Sequence, residues 1–151
     1  MRRKGQASLE LLITLAFALL MLIPIVLLVY LQTASGSEEL AIDQAQQSVS
    51  RLKNVVDVIG AQGPPAKATI TIIVPQRVSR ITIGGTADPY IGREVVFAVG
   101  TRGGDTEIVA VTLYNVTGDL SNYTKAGSYP VSVESVDDCA GMGPCVRVLP
   151  A

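Results

Sequence analysis

The chain has no histidine and no tryptophan, only two phenylalanines, and just two cysteines in 151 residues. Without imidazole there is no Ser-His-Asp or Cys-His machinery, no histidine-bearing metal site and no simple imidazole pH switch. Two thiols alone cannot close a zinc site within one chain, so no metal is expected. Charge is scarce too: twelve Lys and Arg face thirteen Asp and Glu, for a net of −1. There is no basic stripe of the kind that marks a nucleic-acid binder. Residues 100–105, Gly-Thr-Arg-Gly-Gly-Asp, have neither the spacing of a phosphate-binding loop nor a helix after them. No nucleophile stands in a pattern with a base. The composition points away from an enzyme and from any bound cofactor.

What the chain does have is a long aliphatic run. From Leu11 to Leu31 only Thr14, Pro24 and Tyr30 interrupt it. At ~1.5 Å per helical residue this run measures ~30 Å, about the hydrocarbon thickness of a bilayer. Glu10 stands at its mouth. A charged side chain at a membrane-helix centre costs about 2.5–3.5 kcal/mol on insertion scales, and less near the end. An acid in that place asks for a partner. The run is longer than the roughly 7–15 apolar residues of a secretory signal, although Thr33-Ala34-Ser35 offers small residues for a signal-peptidase cut. A plain membrane anchor explains the length but gives Glu10 no purpose.

Arg2, Arg3 and Lys4 precede the run and no basic cluster follows it closely. The positive-inside rule therefore keeps the N-terminus cytoplasmic and sends the chain beyond about Leu31 outside. Two other features agree. Cys139 and Cys145 suit a disulfide in an oxidising compartment. Asn115-Val116-Thr117 and Asn122-Tyr123-Thr124 are both N-glycosylation sequons, which are used only on exported segments.

The head of the chain resembles the class III signal peptide of archaeal type IV pilin-like proteins. In that family a short basic leader ends in glycine, and a prepilin peptidase cuts before Gln-x-Ser-x-Glu-x-x-x-Leu. Here Arg3, Lys4 and Gly5 lead into Gln6, Ser8 and Glu10, with Thr14 in the leucine position and Leu15 next. The resemblance covers about the first fifteen residues and the layout of an apolar helix followed by an outer domain. It implies cleavage between Gly5 and Gln6, with the helix retained on the product. It also implies that Glu10 meets the N-terminal amine of a neighbouring subunit. In a low-dielectric bundle such a pair attracts strongly and sets axial register. The implied partners are identical or related pilin subunits, the prepilin peptidase, an assembly ATPase with its membrane platform protein, and the membrane itself before assembly. Once Arg2, Arg3 and Lys4 are gone, nine cations face thirteen acids, a net of −4.

Beyond Leu31 the periodicity changes. Ser35-Gly36-Ser37-Glu38 fits a capping box, so either a second helix starts here or one helix continues with a bend. Pro24 is expected to add a kink. Ala41, Ala45, Val49, Leu52, Val56 and Ile59 then recur at spacings of three and four, an apolar stripe on one helical face. Gly60 and Gly63-Pro64-Pro65 end the helix.

After Pro65 the period moves towards two. Residues 68–74, 78–83, 94–99, 107–116, 129–136 and 146–149 are rich in Val, Ile and Thr and read as strands. The expected fold is α+β: a long N-terminal helix, then a small antiparallel all-β domain, sandwich-like or a strongly curved sheet. Its core is aliphatic, with Phe97 the one aromatic besides tyrosines. Glu134, Asp137 and Asp138 form an acidic turn without the regular ligand spacing of a calcium loop. Residues 117–128 read as the longest loop, a place for a surface contact or a glycan.

The expected organisation is a leader at 1–5, an apolar transmembrane and assembly helix at 6–34 and an amphipathic continuation at 35–60. A Gly/Pro linker at 61–67 and an extracellular β domain at 68–151 complete it. The expected function is a filament subunit serving adhesion or cell–cell contact, and the rival reading is a membrane-anchored extracellular binding module that does not polymerise.

Overall fold

In the computed structural model the described residues are 3–85, 90–141 and 143–151, side chains excepted at 3–8 and 33–35. A single α-helix, α1, spans Arg3–Gln62. It continues through Pro24, and no new helix begins at the capping-box sequence of residues 35–38. The helix ends where the sequence places its stop. Gly63 takes the left-handed conformation (φ 71°), and its N–H donates to the Ile59 carbonyl at 3.2 Å. A glycine accepts that conformation without the penalty a Cβ brings.

Six strands follow: β1 (Lys67–Val74), β2 (Val78–Ile83), β3 (Gly92–Thr101), β4 (Gly104–Gly118), β5 (Gly127–Val136) and β6 (Cys145–Pro150). All six expected strands are present, most of them longer than the apolar pattern alone indicates. The sandwich alternative is not what forms. The strands make one sheet in the order β1-β5-β6-β4-β2-β3, with β3 also paired to β4. Pairing is antiparallel except between β4 and β6, where residues 116–118 run parallel to residues 146–148. The chain end is thus placed inside the sheet, between β4 and β5.

The chain divides into two compact units, Met1–Glu38 and Glu39–Ala151. In the second, the helical stripe Ala41, Ala45, Val49, Leu52, Val56 and Ile59 is buried, each residue 5% exposed or less. These side chains join Ile72 and Val74 of β1, Phe97 of β3, Val131 and Val133 of β5, and Val146 and Val148 of β6 in one core. The helix therefore takes the place of a second sheet, covering the inner face with a stripe of period 3.6 where a sandwich uses period two. Ser48 sits within the stripe and is satisfied there, its hydroxyl donating to the Ile73 carbonyl at 2.6 Å.

In the first unit the apolar side chains behave differently. The large hydrophobic residues between 9 and 31 are 49–72% exposed, and none of the apolar window is buried. Its mean hydropathy is 3.0, so the helix is long and apolar enough to cross a membrane.

Candidate functional site

The first candidate is the head of α1. Glu10 lies on an exposed face of the helix, in the turn that precedes the apolar run. Four residues on, the Thr14 hydroxyl donates to the carbonyls of Glu10 and Leu11, both at 3.0 Å. Back-bonding of this kind satisfies the hydroxyl within its own helix. It lets a threonine stand in the apolar run without bringing an unpaired polar group into an apolar environment. The Glu10 carboxylate has no such local solution: among the described residues no donor or cation reaches it. The side chains of Arg3, Lys4, Gln6 and Ser8 lie outside the described residues, as does the chemistry of the Gly5–Gln6 bond.

A second feature is a distortion in β4 that the sequence did not reveal. Between the pairs Glu94↔Val111 and Gly92↔Val116, β3 advances by two residues and β4 by five. Residues 112–115 thus stand against the single Arg93 and form a large bulge. It is held from within the same unit, because the Leu113 N–H donates to Asp57 Oδ1 at 2.7 Å. Tyr114 lies directly over Gly60, where any Cβ would strike its ring. The bulge turns Leu113 outward, 69% exposed, beside Val109 and Val111 on the same strand. Asp57 also pairs through Oδ2 with Lys53 one turn back, and its tie to β4 is visible only in the fold.

A cleft of about 390 Å³ opens at the end of the sheet, lined by Ile81, Thr82, Ile83, Gly85, Tyr90, Thr117, Gly118 and Asp119. Tyr90 adopts a left-handed backbone (φ 59°) and is largely exposed. Asp119 is held below its ordinary pKa, first by the Ser121 hydroxyl and then by the Ser121 N–H, which donates to Oδ1 at 2.9 Å.

The expected long loop is shorter than its composition indicates. Strand β4 runs to Gly118 and β5 starts at Gly127, so only residues 119–126 connect them. Within this connection the Tyr123 N–H donates to the Leu120 carbonyl at 2.9 Å, closing a tight turn. Leu120 is buried in the core and the Tyr123 ring stacks on Tyr129, with centroids 4.3 Å apart.

Cys139 and Cys145 form a disulfide, with Cα atoms 6.0 Å apart. The acidic turn before it serves as scaffolding. Asp138 accepts from the N–H groups of Gly141 and Gly143 at 3.0 and 2.9 Å, and so shapes the disulfide loop. Glu134 sits between Lys67 on β1 and Arg147 on β6, at 3.5 and 3.6 Å. Carboxylates committed in this way leave a poor oxygen cage for calcium.

Compared with known protein families, curated proteins and solved structures, the chain matches none.

Proposed function

We propose that this chain is the structural subunit of an archaeal type IV pilus-like surface filament. The single observation that carries the reading is the pairing of a Gln6-x-Ser8-x-Glu10 head with a helix whose apolar residues are exposed all round. The precursor spans the membrane once, with its N-terminus cytoplasmic and its β domain outside. A prepilin peptidase removes residues 1–5, and the new amine at Gln6 becomes the cation that Glu10 lacks among the described residues. Pairing between neighbouring subunits neutralises both charges where neither is well solvated, and a slip of one residue leaves both unpaired.

Moving the helix from lipid into a filament core gains little hydrophobic free energy, because lipid tails are as apolar as leucine. Packing and the charge pair then guide assembly, and a cytoplasmic ATPase with its platform protein supplies the work. The β domain, stapled by Cys139–Cys145, forms the outer coat and carries the contacts with surfaces or other cells. No catalytic step is assigned to it.

Electron microscopy of sheared surface material tests the proposal. Filaments containing this chain are expected from the wild type and not from Glu10→Ala. A wild-type chain found only as membrane-bound monomers would instead favour an anchored binding module. The observation in favour of that second reading is the cleft beside Tyr90 and Asp119.

A further inference from the structure

The two sequons are equivalent as strings of residues and very different as pieces of structure. Asn115 is the last residue of the β4 bulge, and Val116 and Thr117 lie in the ladder that follows it. Val116 is paired with Gly92 of β3 on one side and Val146 of β6 on the other, and Thr117 is paired with Arg147. Val116 is fully buried, and the Asn115 carboxamide oxygen accepts from Arg93 Nε at 3.3 Å. Asn122-Tyr123-Thr124 lies outside the sheet in the β4–β5 connection. The Leu120–Tyr123 turn places Asn122 at its third position, and buried Leu120 and stacked Tyr123 hold the turn from beneath. Asn122 is exposed, and among the described residues its carboxamide has no hydrogen-bond partner.

A glycan transferase needs the asparagine and the hydroxyl two residues on to enter its site together. The carboxamide nitrogen is a weak nucleophile, its lone pair delocalised into the carbonyl, so it reacts only when a transferase holds the whole tripeptide. A sequon whose second and third residues are held in the ladder cannot leave the sheet for this without local unfolding, whereas a surface turn can be grasped as it stands. We propose that Asn122 is the N-glycosylation site of this protein and that Asn115 is a sequon masked by its own fold. This inference rests on the export of the β domain.

The donor is an oligosaccharide linked through phosphate to a membrane lipid. Asn122 Nδ2 forms a bond to the anomeric carbon as the bond from that carbon to the phosphate oxygen breaks. The electron pair leaves with the lipid phosphate, and one amide proton passes to a base of the transferase. No oxidant or reductant is required. The glycan then stands over the β4–β5 end of the sheet, next to the Asp119 rim of the cleft.

Glycopeptide mass spectrometry of the full chain from its native cells reads the result, together with variants Asn122→Gln and Asn115→Gln. A sugar mass is expected on the peptide carrying Asn122, with at least about tenfold higher occupancy than at Asn115, since only molecules with β4 locally opened present the latter. Asn122→Gln is expected to remove the whole glycan mass, and Asn115→Gln to leave it unchanged. Comparable occupancy at both sites, or sugar on Asn115 alone, overturns the proposal. So does a bare Asn122 in chains that begin at Gln6 and are recovered from sheared surface material, because those chains have been processed and exported. A bare chain that still begins at Met1 overturns the export reading along with it.

Discussion

Helix α1 contains two apolar stretches that meet opposite fates. Between residues 41 and 59 the stripe Ala41, Ala45, Val49, Leu52, Val56 and Ile59 is buried against the sheet, while Val58 on the opposite face is 55% exposed. Residues 9–31 carry large hydrophobic side chains on every face and bury none of them. The difference lies in arrangement. Apolar residues confined to one face leave the remainder of the helix for water, so the stripe finds its partner within the chain. Apolar residues on every face cannot be served by a single sheet, and they require lipid or other helices on all sides. How far round the helix the apolar residues extend decides whether it completes its own fold or waits for company.

The contrast is sharpest for two leucines. Leu52→Ala empties a fully buried site and is expected to cost the β-domain unit about 2–5 kcal/mol. Leu20→Ala, on an exposed position of the apolar stretch, is expected to change that unit's stability by less than about 0.5 kcal/mol. Urea unfolding of the detergent-solubilised chain measures both. Equal losses from the two variants would break the distinction drawn between the stretches.

Next in size is the staple of the second unit. Replacing Cys139 and Cys145 together with serine opens a short loop and should cost ~2 kcal/mol on the chain-entropy estimate. The same urea titration reports it, and the apolar stretch should keep its helical circular dichroism in detergent. Below that comes Asp57→Ala, which removes the acceptor for the Leu113 N–H and should cost about 1 kcal/mol. Faster amide exchange at Leu113 would identify the β4 bulge as the part affected.

The smallest effect belongs to Asp119. Its folded pKa lies below its unfolded value, so its hydrogen bonds add stability above about pH 4. That increment is lost as the pH falls through the depressed folded pKa. It is small, because the group is largely solvated. Ser121→Ala removes the leading cause and should move the Asp119 titration, followed by NMR, back towards 3.8.

Much of this architecture is legible in the sequence because it rests on local rules. The stripe 41–59 follows from spacing, the helix stop from Gly63-Pro64-Pro65, and the six strands from runs of Val, Ile and Thr. Less legible are the features set by partners far apart in the chain. The single sheet in place of a sandwich depends on the helix covering one face. The parallel β4–β6 pair depends on where the last strand inserts. The bulge at 112–115 depends on Asp57 and Gly60, more than fifty residues away. The candidate site divides in the same way. Glu10 is conspicuous from its setting alone, whereas the unequal standing of Asn115 and Asn122 appears only once one sequon lies in a central strand and the other on a turn.

All of this turns on what happens between Gly5 and Gln6. Intact-mass and N-terminal peptide analysis of the mature chain tests that directly. The account predicts a first residue of Gln6, with the apolar helix retained. A mature chain that keeps Met1–Gly5, or one that begins near Ser35 with the helix removed, would contradict it.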